Sequence, residues 1–370
     1  MANRVTIQDI AEALGISRNT VSKAINNTPG LAEATRKKVL QKAAELGYKQ
    51  FSFLSLTDQA PLSQADATTL AAVEDVPLPT GEIALFTTEF FGGFHFAVTM
   101  LDRFQRDLSQ LGYVMTMHRL SAQEMQELRL PMTFRRERTS GIVCVELFNC
   151  AYTQMLCELG MPLLFVDAPV DPEARPLRAD RLLMDNTDGI FQFLGQMMRT
   201  GRRNLGFIGC AMHCQSFYER YLAFRNAVSF FGGTVQERFC LTGTYQNQQY
   251  PTDEHHRLYL KEQFSALEEL PDVFLCANDF VAVDAIIALR ELGIRVPEDV
   301  HLCGFDDFPE ARIVTPPLTT IHIHSQTMGL AACQLILSRI REPELNFRTV
   351  HVEANLIYRE SAPMNPEKEE

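Results

Sequence analysis

No run of about eighteen consecutive apolar residues occurs in the 370-residue chain, so a membrane-spanning helix is not expected. The N-terminus has no charged-then-apolar signal segment, because Asp9 and Glu12 interrupt it, and a cytoplasmic location is the expectation. Nine cysteines are present but form no framework: they stand singly, mostly inside apolar runs such as Ile142-Val143-Cys144-Val145, as reduced core thiols do. Cys210 and Cys214 flank His213, with His255, His256, His322 and His324 elsewhere. That spacing lacks the close or paired cysteines of a zinc site, so buried thiols beside a polar loop are expected, with no metal and no other cofactor. Neither G-x-x-x-x-G-K-S/T nor G-x-S-x-G is present, which removes the phosphate loop and the nucleophile elbow. Gly92-Gly93 and Gly232-Gly233 read as turn or helix-end punctuation. The charged tail at 363–370 carries no leucine heptads, so no tetramer-forming coiled coil is expected.

What is present is unevenly charged. The net charge of −12 argues at first against nucleic acid. Yet residues 1–50 hold eight Lys/Arg against four Asp/Glu, a net +4, so the other 320 residues carry −16. A basic head on an acidic body is the footprint of a polyanion bound at one end. Within that head, Thr6 to Asn27 reads as two short helices around a tight turn. Ile7, Ile10, Ala11 and Leu14 share one face, and Gly15 sits where the chain reverses. Ser17 is an N-cap candidate for a second helix that turns Val21, Ala24 and Ile25 inward. Its outer face carries Arg18, Asn19, Ser22 and Lys23, the donors and acceptors that reach base edges and phosphates in a major groove. The bland alternative is a helical hairpin with a polar outer face. A third helix starts at a Thr35 cap, buries Val39, Leu40, Ala43, Ala44 and Leu46, and stops at Leu46-Gly47-Tyr48.

Thr6-Ile7, Asp9-Ile10-Ala11, Gly15-Ile16-Ser17 and Thr20-Val21-Ser22, closed by Asn26, resemble the DNA-binding signature of LacI-type repressors. The resemblance implies a dimeric transcription regulator whose ligand-binding core is similar to periplasmic sugar-binding proteins. The matched positions imply that Arg18, Asn19 and Lys23 read bases, while Thr6, Ser17, Thr20, Ser22 and Asn26 contact phosphates. Lys23 stands where the family more often has arginine, and so offers a point charge instead of a fork. Residues 51–81 are the hinge or linker, with Pro61, Pro77 and Pro79 breaking any long element. The family's hinge helix, whose leucine wedges into the minor groove, has an Ala-Arg-x-Leu-like pattern that is absent here. Leu54 or Leu56 can take its place, beside the unusual Phe51 and Phe53.

From Glu82 short apolar strands alternate with amphipathic helices. Strands are expected at 83–87, 113–117, 141–147, 162–167, 181–184, 205–209, 238–241, 273–277 and 300–304. Helices are expected at 94–111, 151–159, 187–199, 217–231, 254–267, 279–292 and 326–341. The alternation predicts an α/β fold: a three-helix helix-turn-helix head, then two doubly wound lobes of periplasmic-binding-protein-like type, in sequence, of about 100 and about 150 residues. The expected division is head 1–50, junction 51–81, effector-binding and dimerisation body 82–362, and tail 363–370.

The later half is the closest to the family pattern. Its matching stretches are Met184-Asp185-Asn186-Thr187-Asp188-Gly189, Cys276-Ala277-Asn278-Asp279, Leu289-Arg290-Glu291-Leu292-Gly293-Ile294, Gly304-Phe305-Asp306-Asp307 and Thr315-Pro316-Pro317-Leu318. Read without the family, Asn278 and Asp306 stand just past strand ends, where open α/β sheets bind ligands. Lobes joined by several crossings make a clamshell whose cleft is the default pocket. Its expected lining is Glu89, Phe90, Phe91 and His95 from the first lobe and Arg220, Asn278 and Asp306 from the second. Arg220 matches the family's effector-contacting arginine, within Arg220-Tyr221-Leu222-Ala223-Phe224. With Asp306 it can hold hydroxyls by charge-assisted, fork-like bonds, and Phe90 and Phe91 can stack on a sugar or base. Asn278 has two readings, ligand contact or cap of the following helix. Asp306-Asp307 imitates a hydrolase pair, but neighbours at a strand end point apart, so one enters the cleft. The function expected is therefore a non-enzymatic, sequence-specific DNA-binding regulator, a dimer on double-stranded operator, controlled by a small-molecule effector such as a sugar. The alternatives are a cytosolic sugar-binding or sugar-processing protein with an accessory head, and a sensor whose head contacts protein.

Overall fold

A computed structural model describes residues 7–18, 20–21, 35, 38–39, 42, 81–88, 96–243 and 254–364. The chain divides into two compact units, Met1–Leu78 and Pro79–Glu370. In the first, helix α1 spans Ile7–Leu14. It ends in a Schellman turn: Ile16 N–H donates to the Ala11 carbonyl and Gly15 N–H to that of Glu12, with Gly15 at φ +62°. A side chain is strained at that φ, which is why glycine stands there. Arg18, Thr20 and Val21 are helical again, and the Thr20 N–H donates to Ser17 Oγ at 3.1 Å. Ile10, Ala11, Val21 and Val39 are buried. The turn and cap expected from sequence are thus formed.

The second unit holds the strands and longer helices. They run β1 Glu82–Thr87, α2 Phe96–Gln110, β2 Val114–Arg119, α3 Ala122–Gln126, β3 Thr139–Val145, α4 Cys150–Cys157, β4 Leu163–Val166 and β5 Asp180–Met184. The chain continues through α5 Asp188–Arg199, β6 Leu205–Ile208, α6 Gln215–Phe230, β7 Cys240–Leu241, α7 Glu254–Ala266, β8 Val273–Cys276, α8 Asp279–Glu291, β9 His301–Cys303 and α9 Pro309–Ile313. It closes with β10 Thr320–Ile323, α10 Ser325–Arg341, β11 Thr349–Val352 and β12 Ala354–Ile357. One sheet is six-stranded and parallel, in the order β11-β5-β4-β3-β1-β2. The other is four-stranded and parallel, in the order β7-β6-β8-β9. β10 and β12 pair antiparallel. The inner strands β1, β3, β4, β6 and β8 are apolar runs buried on both faces, as helix-covered parallel sheets require, while the edge strands β2 and β11 are partly exposed.

The order of the strands corrects the expectation of two lobes in sequence. β11, from near the end of the chain, completes the first sheet beside β5, and α10 packs on α2 and on β3 to β5. Gly329 makes that crossing possible, since a Cβ there would lie 2.5 Å from the Met100 carbonyl oxygen. A buried carboxylate fastens the returning segment. Asp180 accepts from Arg339 Nη2 at 2.8 Å, Arg348 Nη2 at 2.6 Å and the Arg348 N–H at 2.8 Å. Burial works to raise the Asp180 pKa, but the two arginines outweigh it and hold the carboxyl below its usual range. The expected strand 238–241 is also corrected: Glu237–Phe239 forms a 3-10 turn and only Cys240–Leu241 pairs.

Candidate functional site

The two sheets bring their strand ends to one narrow cleft within the second unit, with an internal volume of about 60 Å³. From the first lobe come Glu146 after β3 and Asp167 after β4; from the second come Asn278 after β8 and Asp306 beyond β9. Glu146, Asp167 and Asp306 have φ of +51°, +60° and +115°, a backbone region that L-residues rarely occupy. Three strained carboxylates facing one cavity are what a site held by its surroundings displays.

Arg220 is the centre of the far wall. It is 3% exposed, donates from Nε to Asn186 Oδ1 at 2.9 Å and from Nη1 to the Ala277 carbonyl at 2.6 Å, and lies 3.5 Å from the centroid of Phe305. Its Nη2 is 3.6 Å from Asp306 Oδ1, too far for a hydrogen bond and close enough for ionic attraction. The fork expected from sequence is therefore half committed, and its remaining N–H donors face the cleft. Asn278 is a cap: its Oδ1 accepts the Val281 N–H at 2.9 Å while the residue also lines the cavity. Its two readings are thus compatible, the oxygen capping and the amide nitrogen left to donate.

Asp306 and Asp307 part company, as expected, although by consecutive positive φ values past the strand and not by strand alternation. Asp307 turns away to accept from Arg312 Nη2 at 2.7 Å, from Arg359, and from His322 at 3.1 Å. Burial opposes ionisation of Asp307, yet those three partners bring its pKa down to about 2. Just behind Asp306, buried Asp279 accepts from Thr320 Oγ1 and the Phe308 N–H. Burial and the neighbouring Asp306 carboxylate push its carboxyl well above the usual range.

Asp167 joins the lobes. Its Oδ1 accepts the Ala168 N–H at 2.7 Å and, across the cleft, the Ser216 N–H at 3.1 Å, while the Gln215 N–H donates to the Ala168 carbonyl. Burial raises the Asp167 pKa to about 6 against the pull of the Ala168 N–H, Cys214, Arg220 and Ser216. The sign follows from linkage. A carboxyl raised in the fold adds stability while protonated, fully below its unfolded value near 3.9, and that contribution is gone once pH rises through about 6. Asp167→Asn keeps an acceptor oxygen for both N–H groups. It is expected to melt above the unsubstituted protein at pH 7.5 and to lose part of the change in melting temperature between pH 7 and pH 5. A pH profile parallel to that of the unsubstituted protein would assign the titration elsewhere.

Aromatic rings form the side walls. His213 packs against Phe148 of the first lobe and Phe217 of the second, at 5.1 Å from each ring, and burial lowers its pKa. Phe280 and Phe308 lie 4.4 Å apart on the other side. The thiol of Cys214 is buried and pushed well up by desolvation. No group of three His, Cys, Asp or Glu side chains with metal-binding geometry occurs among the described residues.

Of the residues expected from sequence, the structure brings Arg220, Asn278 and Asp306 to one cavity. Ser17, Arg18 and Thr20 lie together on the head, Ser17 Oγ being 2.8 Å from Thr20 Oγ1, with Ser17 and Arg18 exposed. Thr6, Asn19, Ser22, Lys23, Asn26, Leu54, Leu56, Glu89, Phe90, Phe91 and His95 lie outside the described residues. Glu146, Phe148, Asp167, His213 and Phe217 were missed. The available signal was a carboxylate closing an apolar run, as in Val145-Glu146 and Val166-Asp167.

Comparison with known proteins bears on both units. Residues 6–50 match the model of bacterial regulatory proteins, lacI family, and residues 194–362 that of a periplasmic binding protein-like domain. The HTH-type transcriptional regulator GalR of Lacticaseibacillus casei is 26% identical over 96% of this chain and 99% of its own. The HTH-type transcriptional repressor PurR of Mannheimia succiniciproducens is 24% identical over 96% of this chain and 98% of its own. Among solved structures, a transcriptional regulator CelR–cellobiose complex superposes with a TM-score of 0.64 at 23% identity, covering 97% of this chain and all of the other. A lac repressor dimer bound to operator and the anti-inducer ONPF gives 0.59 at 19%, covering 98% of this chain and all of the other.

Proposed function

The chain belongs to the LacI family of DNA-binding transcriptional regulators controlled by small molecules, and from that premise we propose that it is a repressor acting as a dimer on a near-palindromic operator. The supporting observation is the Ser17 cap: it starts a helix directly after the Gly15 turn and leaves Arg18 exposed in its first turn. In this reading Arg18, Asn19 and Lys23 read base edges. Thr6, Ser17, Thr20, Ser22 and Asn26 hold phosphates and fix the register. Residues 1–50 are the reading head, 51–81 the junction, 82–362 the sensing and dimerising body and 363–370 a solvated tail. Leu54 and Leu56 are assigned the minor-groove contact at the junction.

The effector proposed is an uncharged, hydroxyl-rich metabolite of the sugar class. Arg220, Asn278 and Asp306 offer it hydrogen bonds, the ring faces around His213 and Phe308 cover its apolar sides, and Glu89, Phe90 and Phe91 are assigned the first-lobe contacts. The relatives matched are regulators and not enzymes, and no catalytic role is assigned to the cleft. The test is selection of duplexes from a random pool by the full chain. Enrichment of a near-palindrome, bent in a permuted-fragment gel, supports the reading. Absence of any enriched sequence would overturn it, and an enriched but unbent duplex would remove Leu54 and Leu56 from their role.

A further inference from the structure

We propose that the body has a second binding site, on its flank and separate from the cleft, which takes a small metabolite bearing a carboxylate or phosphate on Arg181. Arg181 is the second residue of β5, in register with Phe165 on β4 and Thr349 on β11. Strand alternation puts its side chain on the sheet face opposite Asp180 and its two arginines. The Nε of Arg181 is closed off from solvent and makes no hydrogen bond. A guanidinium stays ionised at any physiological pH, and closing one of its N–H donors off from water with no acceptor is unfavourable.

Arg341 shares the lack of an acceptor, at Nε and Nη2, but is not in the wall of the indentation that Arg181 lines, and other arginines of the body are held. Arg220 has Asn186 and the Ala277 carbonyl, Arg339 and Arg348 share Asp180, and Arg359 has Asp307. Arg181 faces an indentation of about 320 Å³, at the lower end of the size range of metabolite sites. Arg175 and Asp171 in its wall neutralise one another at 2.8 Å, so the lining keeps the net +1 of Arg181. Thr153, Gln154, Gln215 and Tyr218 add neutral hydrogen-bonding groups. Charge and donors together select an oxyanion with hydroxyls beside it.

The place of this site gives it a regulatory consequence. Gln215 and Tyr218 belong to the start of α6, whose first turn docks on Ala168 and Asp167 of the first lobe and which carries Arg220 one turn further on. A ligand bridging Arg181 to this turn favours one arrangement of the lobes. It thereby alters effector affinity in the cleft, and the effector alters its affinity by the same factor. The binding claim stands apart from DNA recognition; its effect on operator affinity alone rests on the regulatory reading.

The experiment is thermal melting and calorimetry of the full chain with gluconate, glucose 6-phosphate and glucose. Without ligand, Arg181→Met is expected to melt above the unsubstituted protein, because a closed-off N–H without an acceptor is removed. Gluconate or glucose 6-phosphate raises the melting temperature saturably and glucose does not, and which anion is stronger tells carboxylate from phosphate. Arg181→Met weakens that binding at least about tenfold, Arg181→Lys keeps part of it, and Asp306→Asn leaves it intact. The proposal is overturned if the ligand-free Arg181→Met protein melts below the unsubstituted one, or if neither anion binds. It is equally overturned if binding survives Arg181→Met but fails in Asp306→Asn. Should Arg181→Met not fold, unaltered anion binding by Arg181→Lys counts against the site.

Discussion

Arg18→Ala is expected to cut affinity for the selected operator by about thirtyfold or more while lowering affinity for random duplex only slightly. Each head loses a base contact worth about 1–3 kcal/mol, and a two-headed complex loses about twice that. The random-duplex affinity falls little, because non-specific binding depends on the summed phosphate contacts of the basic head and loses one charge of eight. Fluorescence anisotropy at a fixed, physiological salt concentration gives both constants. The exposure of Arg18, in the first turn of a helix that Ser17 caps, makes the substitution a test of recognition and not of folding. Equal losses on both duplexes would assign Arg18 to the phosphate backbone.

Asp306→Asn is expected to leave operator binding by the effector-free protein unchanged and to raise the effector concentration that alters operator affinity by about tenfold to a hundredfold. A hydrogen bond from a ligand to a charged group contributes about 1.5–3 kcal/mol, and the asparagine also ends the ionic attraction across 3.6 Å to Arg220. Asparagine is the informative choice. It tolerates the φ of +115° better than alanine, so the charge is removed without adding backbone strain. The effector for this measurement comes from a thermal-shift screen of sugars, nucleosides and amino acids against the full chain. An unchanged effector response curve would take Asp306 out of the effector site.

Most of the framework was legible in the chain. Parallel strands buried on both faces are written as short continuous apolar runs, and their helices as 3.6-residue stripes, so β1, β3, β8 and α8 stood near their expected places. The head was legible for a different reason: turn, cap and apolar face each need a particular residue at a particular step, and Gly15, Ser17 and Val21 supply them. What escaped were elements defined by distant partners. β11 reads Thr349-Val350-His351-Val352, a weak strand by pattern, and becomes one because β5 offers it an edge. α9 is five residues long, too short for a period to show, and β12 exists through pairing with β10.

The site was legible on one side of the cleft. Asn278 and Asp306 follow strand ends and Arg220 lies on a helix, all three in stretches close to the family pattern. Glu146 and Asp167 were absorbed into expected strands, because nothing local says that the backbone leaves the sheet at positive φ after Val145 and Val166. His213 was set aside with its neighbouring cysteines. Its place between Phe148 and Phe217 depends on how two lobes approach each other, which no local pattern encodes. Arg181 is a similar case: an arginine inside an apolar strand becomes conspicuous once its Nε is seen in three dimensions to be closed off without an acceptor.

The central claim is that one chain couples a basic reading head to an anionic sensing body. It is tested most directly by titrating the screened effector into the full-length protein bound to its selected operator, at physiological salt, beside a scrambled duplex of equal length. The account predicts a large preference for the operator over the scrambled duplex, and an effector-dependent change in that preference that Asp306→Asn shifts to higher concentration. Equal affinity for the two duplexes, at every effector concentration, would contradict it.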